Sequence, residues 1–402
     1  MTASLFAHVE MAPRDPILGL TEAFNADTRA TKVNLGVGVY YDDNGKLPLL
    51  AAVMAAEEIR LKAQPPRGYQ PIDGNAAYNQ AVRDLIFGAG SERASNGSVV
   101  TIQSLGGTGA LRVGADYLRQ LLPQSTLYLS DPSWENHRAL FEAAGFSVES
   151  YPYYDPATRG VDFAGMKQKL AALPPASIVL LHACCHNPTG ADLTTEQWQE
   201  VAALCKEKQL VPFLDMAYQG FADGIEPDAV AVRAFIASGA AFLISSSFSK
   251  SFSLYGERVG ALSIITANKE EAARVLSQVK RVIRTNYSNP PTHGGAIVAA
   301  VLGSPELRKS WEDELASMRD RIRAMRSGLI DALKASGATQ DFSFIIQQRG
   351  MFSYTGLSPA EVDRLKSEFG IYAVSTGRIC LAALNNKNLP TVAAAIAAVV
   401  KD

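Results

Sequence analysis

Through the middle of the chain, short apolar runs of strand length alternate with stretches of helical spacing. The runs at Val99–Gln103, 126–130, 147–151, Ser177–Leu181, Leu210–Leu214, Ala241–Ile244 and Val259–Ile265 read as strands. Helical spacing predicts helices over 50–64, 73–87, Ala110–Leu122, Ser133–Ala144 and 162–172, and another starting at Thr194. Thr194 with Gln197 makes a capping box for that last helix. Such βα alternation predicts an α/β fold around a mostly parallel sheet with right-handed crossovers. Helices follow over 269–283, 292–302 and 304–335, the last with Ser304 as N-cap and Pro305 in its first turn. The remaining segment carries strand-like runs at 342–346, 351–355 and 371–374, and Ser358-Pro359-Ala360-Glu361 opens a helix.

The first 30 residues read as an arm stiffened by Pro13 and Pro16, then a short helix over ILGLTEAF. Residues 32–48 alternate apolar and small positions as a strand does, then turn at Asp43-Asn44-Gly45. Gly36 and Gly38 inside that pattern mark either close approach of a ligand or another backbone, or a bulge. Arg67 to Gly74 is a turn-rich loop; its Tyr69 is either an aromatic at the edge of the core, which the sequence favours, or a loop hydroxyl reaching a ligand.

Composition narrows the class. With 402 residues, 47% of them hydrophobic, the chain can bury a large core in two domains. A net charge of −2 gives no reason to expect nucleic acid or an anionic membrane as partner. No apolar run approaches the roughly 18 residues of a membrane span, and the first residues lack a signal-peptide pattern. Four cysteines without metal or disulfide spacing suit a reducing compartment, so a cytoplasmic location is expected.

The chemistry gathers at strand ends. After the run Ala241–Ile244 come Ser245, Ser246, Ser247, Ser249 and then Lys250, with Arg258 eight positions on. An amine among hydroxyls can condense with an aldehyde, while serines and a guanidinium can hold a phosphate. Pyridoxal 5′-phosphate carries both groups; the alternative is a solvated loop with an ordinary lysine. Leu105-Gly106-Gly107-Thr108-Gly109 forms a strand-to-helix turn whose free N–H groups suit an anion, without the Walker pattern. Asn187, Asp215 and Lys250 each follow a predicted strand, and ligands of open α/β sheets bind there. Arg378 stands in an otherwise apolar strand, as either a structural ion pair or a carboxylate fork. Trp134 is core or a face for a planar ring. His182 and His186 have a spacing used for metals on helices, but Pro188 argues against a helix, and no metal site is expected.

Taken together, NLGVGVY, SLGGTGAL, DPSWENH, HACCHNPTG, PFLDMAYQGF, SSSFSKSFSLYGERVG, NYSNPP and GRICLA resemble the class I aminotransferases of the aspartate/aromatic branch, in family order from about residue 5 onward. The resemblance implies fold type I of the pyridoxal-phosphate enzymes: a large domain around a mainly parallel seven-stranded sheet and a small α/β domain built from both chain ends. Boundaries are expected at 1–48 for the arm and part of the small domain, 49–310 for the large domain and 311–402 for the small one. It also implies a homodimer with shared active sites. Lys250 then holds the cofactor as a Schiff base and moves a proton, and Asp215 faces the pyridine nitrogen. A charge pair at about 4 Å and an effective dielectric of 20 is worth about 4 kcal/mol. Tyr218 and Asn187 bond the phenolic oxygen, and Trp134 stacks on the ring. Gly107, Thr108, Ser247 and Arg258 bind the phosphate, with Tyr69 from the other subunit. Arg378, Asn187 and the Gly38 backbone take the α-carboxylate, and Arg284 from the partner takes a distal carboxylate. The Asn187–Pro188 bond is expected to be cis.

Tyr41 and Leu47 stand where aspartate-selective relatives more often carry polar residues, which makes the mouth of the site friendlier to aromatic side chains. The expected reaction is transamination between aromatic or dicarboxylic L-amino acids and 2-oxoglutarate. The competing readings are an aspartate aminotransferase with little aromatic activity, a decarboxylase or lyase on the same fold, and a non-catalytic cofactor sensor.

Overall fold

A computed structural model describes residues 4–12 and 17–401. The expected stiffening by Pro13 and Pro16 lies outside the described residues.

Seven strands form the central sheet: β2 (Val99–Leu105), β3 (Thr126–Asp131), β4 (Ser147–Pro152), β7 (Ile178–His182), β8 (Val211–Met216), β9 (Leu243–Ser247) and β10 (Val259–Ile265). The remaining strands are β1 (Val33–Asn34), β5 (Tyr154–Asp155), β6 (Gly160–Val161), β11 (Phe352–Tyr354), β12 (Ile371–Tyr372) and β13 (Arg378–Cys380). The spatial order of the sheet is β2-β10-β9-β8-β7-β3-β4. The pairs β8–β9, β7–β8, β3–β7 and β3–β4 are parallel, whereas β10 runs against both β2 and β9.

Alternation along these strands divides the core into two layers, because successive side chains leave opposite faces of a sheet. Ile178 and Leu180 of β7, with Phe213 of β8, pack against the helix Gly106–Leu121 and Phe141. Val179 and Leu181, with Leu214, pack on the other face with Trp198, Val201 and Phe235. The capping boxes at Thr194–Gln197 and Ser358–Glu361 are both formed, and Ser304 caps the helix Pro305–Ala335.

That long helix also anchors the segment after Lys250. Its fully buried Trp311 stacks on Phe252 at 4.6 Å, and the indole N–H donates to the Ser251 carbonyl at 2.7 Å. The two chain ends meet through β1, which pairs in parallel with β12. Leu35 C=O accepts the Cys380 N–H at 2.7 Å just beyond that pairing.

Several expectations need correction. The strand expected over 32–48 stops at Asn34, and residues 35–50 are irregular. Gly38 lies in that loop, where an added Cβ would come within 2.9 Å of the Phe352 ring, so the close neighbour is a side chain. The run 342–346 is a 3₁₀ turn, Ser343–Gln347, with Ile345 buried and Ile346 40% exposed. A two-residue apolar pair followed by glutamines satisfies that turn as well as a strand. The helix after β10 runs to Asn286, so Arg284 belongs to its last turn and not to a loop. Tyr69 is 96% exposed and no part of the core edge. The helices Val230–Ser238 and Leu389–Val399, both rich in alanine and valine, were not expected.

Candidate active site

At the carboxyl ends of β7, β8 and β9, three neighbouring strands, the chain encloses a cavity of about 210 Å³. Asn187, Asp215 and Lys250 all line it, so the convergence expected from their strand ends is real. Gly107, Thr108, Trp134, Tyr218, Ser247 and Arg258 complete most of its wall.

The half-buried Lys250 lines the cavity, and its amine sits 5.2 Å from the centre of the Tyr218 ring. Burial, reinforced by the Arg258 and Arg378 charges and opposed by Asp215, pulls it down to about 8 from 10.5. For Asp215, burial acts upward, but the His137 hydrogen bond and the His137, His182 and Lys250 charges outweigh it, and the carboxyl is held below its usual range. His137 Nε2–H donates to Asp215 Oδ2 at 2.8 Å. Its other nitrogen bonds Ser133 Oγ at 2.9 Å, and that hydroxyl reaches His182 Nε2 at 3.1 Å. His182 is pulled down to about 3, by burial first and then by His137. An ionised carboxylate is therefore backed by a fully buried ring, a hydroxyl and a neutral imidazole. Burial likewise raises the Tyr218 hydroxyl far above its usual range, so it stays protonated.

The opposite end of the cavity is an anion cradle. The helix Gly106–Leu121 begins there and presents first-turn N–H groups. Arg258 curls over it in the left-handed region, with φ +53°, and donates to Tyr255 C=O at 2.9 Å and Ser249 Oγ at 3.3 Å. Gly106 has φ +69°, and a Cβ there would fall 2.5 Å from the Arg258 guanidinium. Any larger residue would push the arginine out of the cradle.

Arg378 is 1% exposed and lies just behind the cavity. It donates to Asn187 Oδ1 at 3.0 Å and to Gly36 C=O at 2.6 Å, with Phe352 4.4 Å beneath it. Its Nε has no partner, and no acid pairs with it among the described residues. The Asn187–Pro188 bond is cis, as expected, and so is Asp131–Pro132.

Tyr69 and Arg284 do not join this cavity within one chain. Arg284 is exposed in the last turn of its helix, its guanidinium bonded to Ser288. Gly38 sits against the Phe352 ring and is not among the residues that line the cavity. Sequence reasoning missed His137 as the partner of Asp215, although its motif DPSWENH stood out. His182 and His186 bind no neighbour in common: the His186 nitrogens are taken by Ser130 and Thr189.

The model of the family "Aminotransferase class I and II" matches residues 30–396. The chain is a class I aminotransferase. Its relatives place it in the aspartate/aromatic branch. An aspartate aminotransferase of Pseudomonas aeruginosa is 66% identical over 393 residues, covering 98% of this chain and 99% of the relative. The aromatic-amino-acid aminotransferase of Escherichia coli is 51% identical over 397 residues, covering 98% of this chain and all of the relative. The crystal structure of an aromatic-amino-acid aminotransferase from Burkholderia pseudomallei, covalently bound to pyridoxal phosphate, superposes with a TM-score of 0.97 at 67% identity, covering 99% of this chain and 100% of that one.

The aminotransferase uses pyridoxal phosphate, and its residues fit that group: a half-buried amine, an ionised carboxylate and an anion cradle share one cavity. The lowered amine has a measurable consequence for stability. Between about pH 8 and 10.5 the folded amine has lost its proton while the unfolded one keeps it, so stability rises with pH in that window. A cofactor-free Lys250→Met chain lacks this contribution. Its stability advantage over the wild type, measured by urea denaturation, is expected to shrink by about 3 kcal/mol across that window. A constant advantage would show that the amine is not depressed.

Proposed function

We propose that this aminotransferase exchanges the amino group between aromatic or dicarboxylic L-amino acids and 2-oxoglutarate, working as a homodimer with shared sites. The observation that carries the reading is the unequal setting of two arginines. Arg378 is buried beside the cavity with an unpartnered Nε, which suits a fixed grip on the α-carboxylate that every amino acid has. Arg284 is exposed, which suits a residue offered to the partner's site and needed only by substrates with a second carboxylate.

Bound pyridoxal phosphate supplies an aldehyde for the amino group and a ring that withdraws electrons from the α-carbon. The side chains do the rest. Lys250, with its amine at about 8, is free base often enough near neutrality to take a proton from the substrate α-carbon and return it. Asp215, steadied by His137, provides the negative charge that favours a protonated ring nitrogen. Tyr218 and Asn187 offer hydrogen bonds to the phenolic oxygen, and Trp134 a flat face for the ring. Gly107, Thr108, Ser247 and Arg258 take the phosphate, and Asn187 with the Gly38 backbone adds to the α-carboxylate grip.

Exposed apolar side chains on one segment support the dimer: Leu49, Met54, Ile59 and Leu61, with Tyr69 beyond them. Tyr69 is then available to the partner's phosphate. Division of the chain at 48 and 310 is consistent with the joining of β1 to β12, and a cytoplasmic location with four free, buried cysteines. Among the described residues, no helix is long and apolar enough to cross a membrane.

Arg284→Ala tests the substrate assignment. The kcat/KM for aspartate and glutamate is expected to fall by roughly 10²–10³-fold, as for loss of a charge-paired hydrogen bond, while phenylalanine changes little. Equal losses on both would overturn it. A panel with 2-oxoglutarate as acceptor would separate this reading from an aspartate enzyme with little aromatic activity, which would leave phenylalanine and tyrosine nearly unused.

A further inference from the structure

We propose that Cys184 and Cys185 form a capture site for trivalent arsenicals, small neutral As(III) hydroxides that bridge two thiols. The two residues are adjacent, both thiols are free, and both are buried. Their sulfurs and a carboxylate oxygen of Asp228 lie within 4.8 Å of one another. Among the described residues this is the one such group. Access comes from Cys184, which borders both the active-site cavity and a separate groove of about 640 Å³ on the other side.

The surroundings decide which electrophile fits. Asp228 is already committed: Oδ2 accepts the Gly220 and Ala222 N–H groups, and Oδ1 those of Asp223 and Gly224. A divalent cation would further require thiolates. The hydrogen bond between the two thiols pulls Cys184 down, but burial and the nearby acids outweigh it and leave it at about 11. Burial pushes Cys185 well above its usual range. Both thiols are thus protonated near neutrality. Arsenous acid takes thiols in that form. Two As–O bonds break and two As–S bonds form. Each thiol proton leaves with a hydroxide as water, the arsenic stays trivalent, and no charge is buried.

Bridging would reach the catalytic wall. Cys184 is part of the cavity surface, and the Cys185 sulfur rests 3.8 Å from the Tyr218 carbonyl. Turning both side chains toward one arsenic shifts these contacts, so capture costs activity.

The test uses the holoenzyme and sodium arsenite. Activity is expected to fall at least tenfold at one arsenic per chain, and to return with a small dithiol but not with a monothiol. Cys184→Ser and Cys185→Ser are each expected to raise the half-inhibitory concentration at least tenfold, relative to their own untreated rates. A second measurement needs no variant: after arsenite treatment, the protein is unfolded, alkylated and peptide-mapped. Joint protection of Cys184 and Cys185, with Cys205 and Cys380 alkylated, supports the site. Protection of another cysteine, protection of none, or wild-type sensitivity in either serine variant overturns it.

Discussion

Lys250→Ala is expected to lower turnover by roughly 10⁴-fold or more on every substrate, because it removes both the proposed covalent anchor and the proposed proton carrier at the α-carbon. The variant should still fold. Removing a half-buried amine relieves a desolvation cost, and the Trp311–Ser251 hydrogen bond that holds the segment involves no atom of the lost side chain. Two readings check this: steady-state turnover, and the absorbance of the lysine-bound cofactor, which should vanish together with borohydride fixation to the chain. A yellow and active Lys250→Ala protein would remove the foundation of the site assignment.

Asp215→Asn should have the second largest effect. The substitution keeps an oxygen able to accept the His137 N–H and removes the charge. An interaction of about 4 kcal/mol between the carboxylate and a protonated ring nitrogen corresponds to a roughly 10³-fold loss in kcat. The same change removes the charge that opposes burial at Lys250, so its amine should fall below its present value of about 8. The pH dependence of amine labelling in cofactor-free protein reads that second effect directly. A kcat within a few-fold of the wild type would mean that the carboxylate does not govern the ring.

Much of this site was readable in the sequence because its parts are local. Capping boxes need only four consecutive residues, and Thr194–Gln197 and Ser358–Glu361 formed as expected. Asp215 and Lys250 could be brought together because βα alternation makes their strands neighbours. The His137–Asp215 bond spans 78 positions and joins the first turns of a helix to a strand. Nothing in the local spacing of DPSWENH announces that partner. The strand expected over 32–48 failed for a related reason. Its alternation is genuine, but Gly36 C=O is used by Arg378, 342 positions away, and not by a sheet neighbour. Tyr69 and Arg284 stay apart from the cavity within one chain; in the proposed homodimer each would serve the partner's site.

The late partnership of β1 with β12 also sets an order of events at the ribosome. At about 5–20 residues per second, synthesis takes roughly 20–70 s to travel from Asn34 to Tyr372. The central sheet, complete at Ile265, can assemble during that interval, while the Gly36 carbonyl has no guanidinium to meet. Nascent chains stalled short of Gly377 would therefore already own the amine and its carboxylate, yet lack Arg378, the proposed grip on an amino acid's carboxylate.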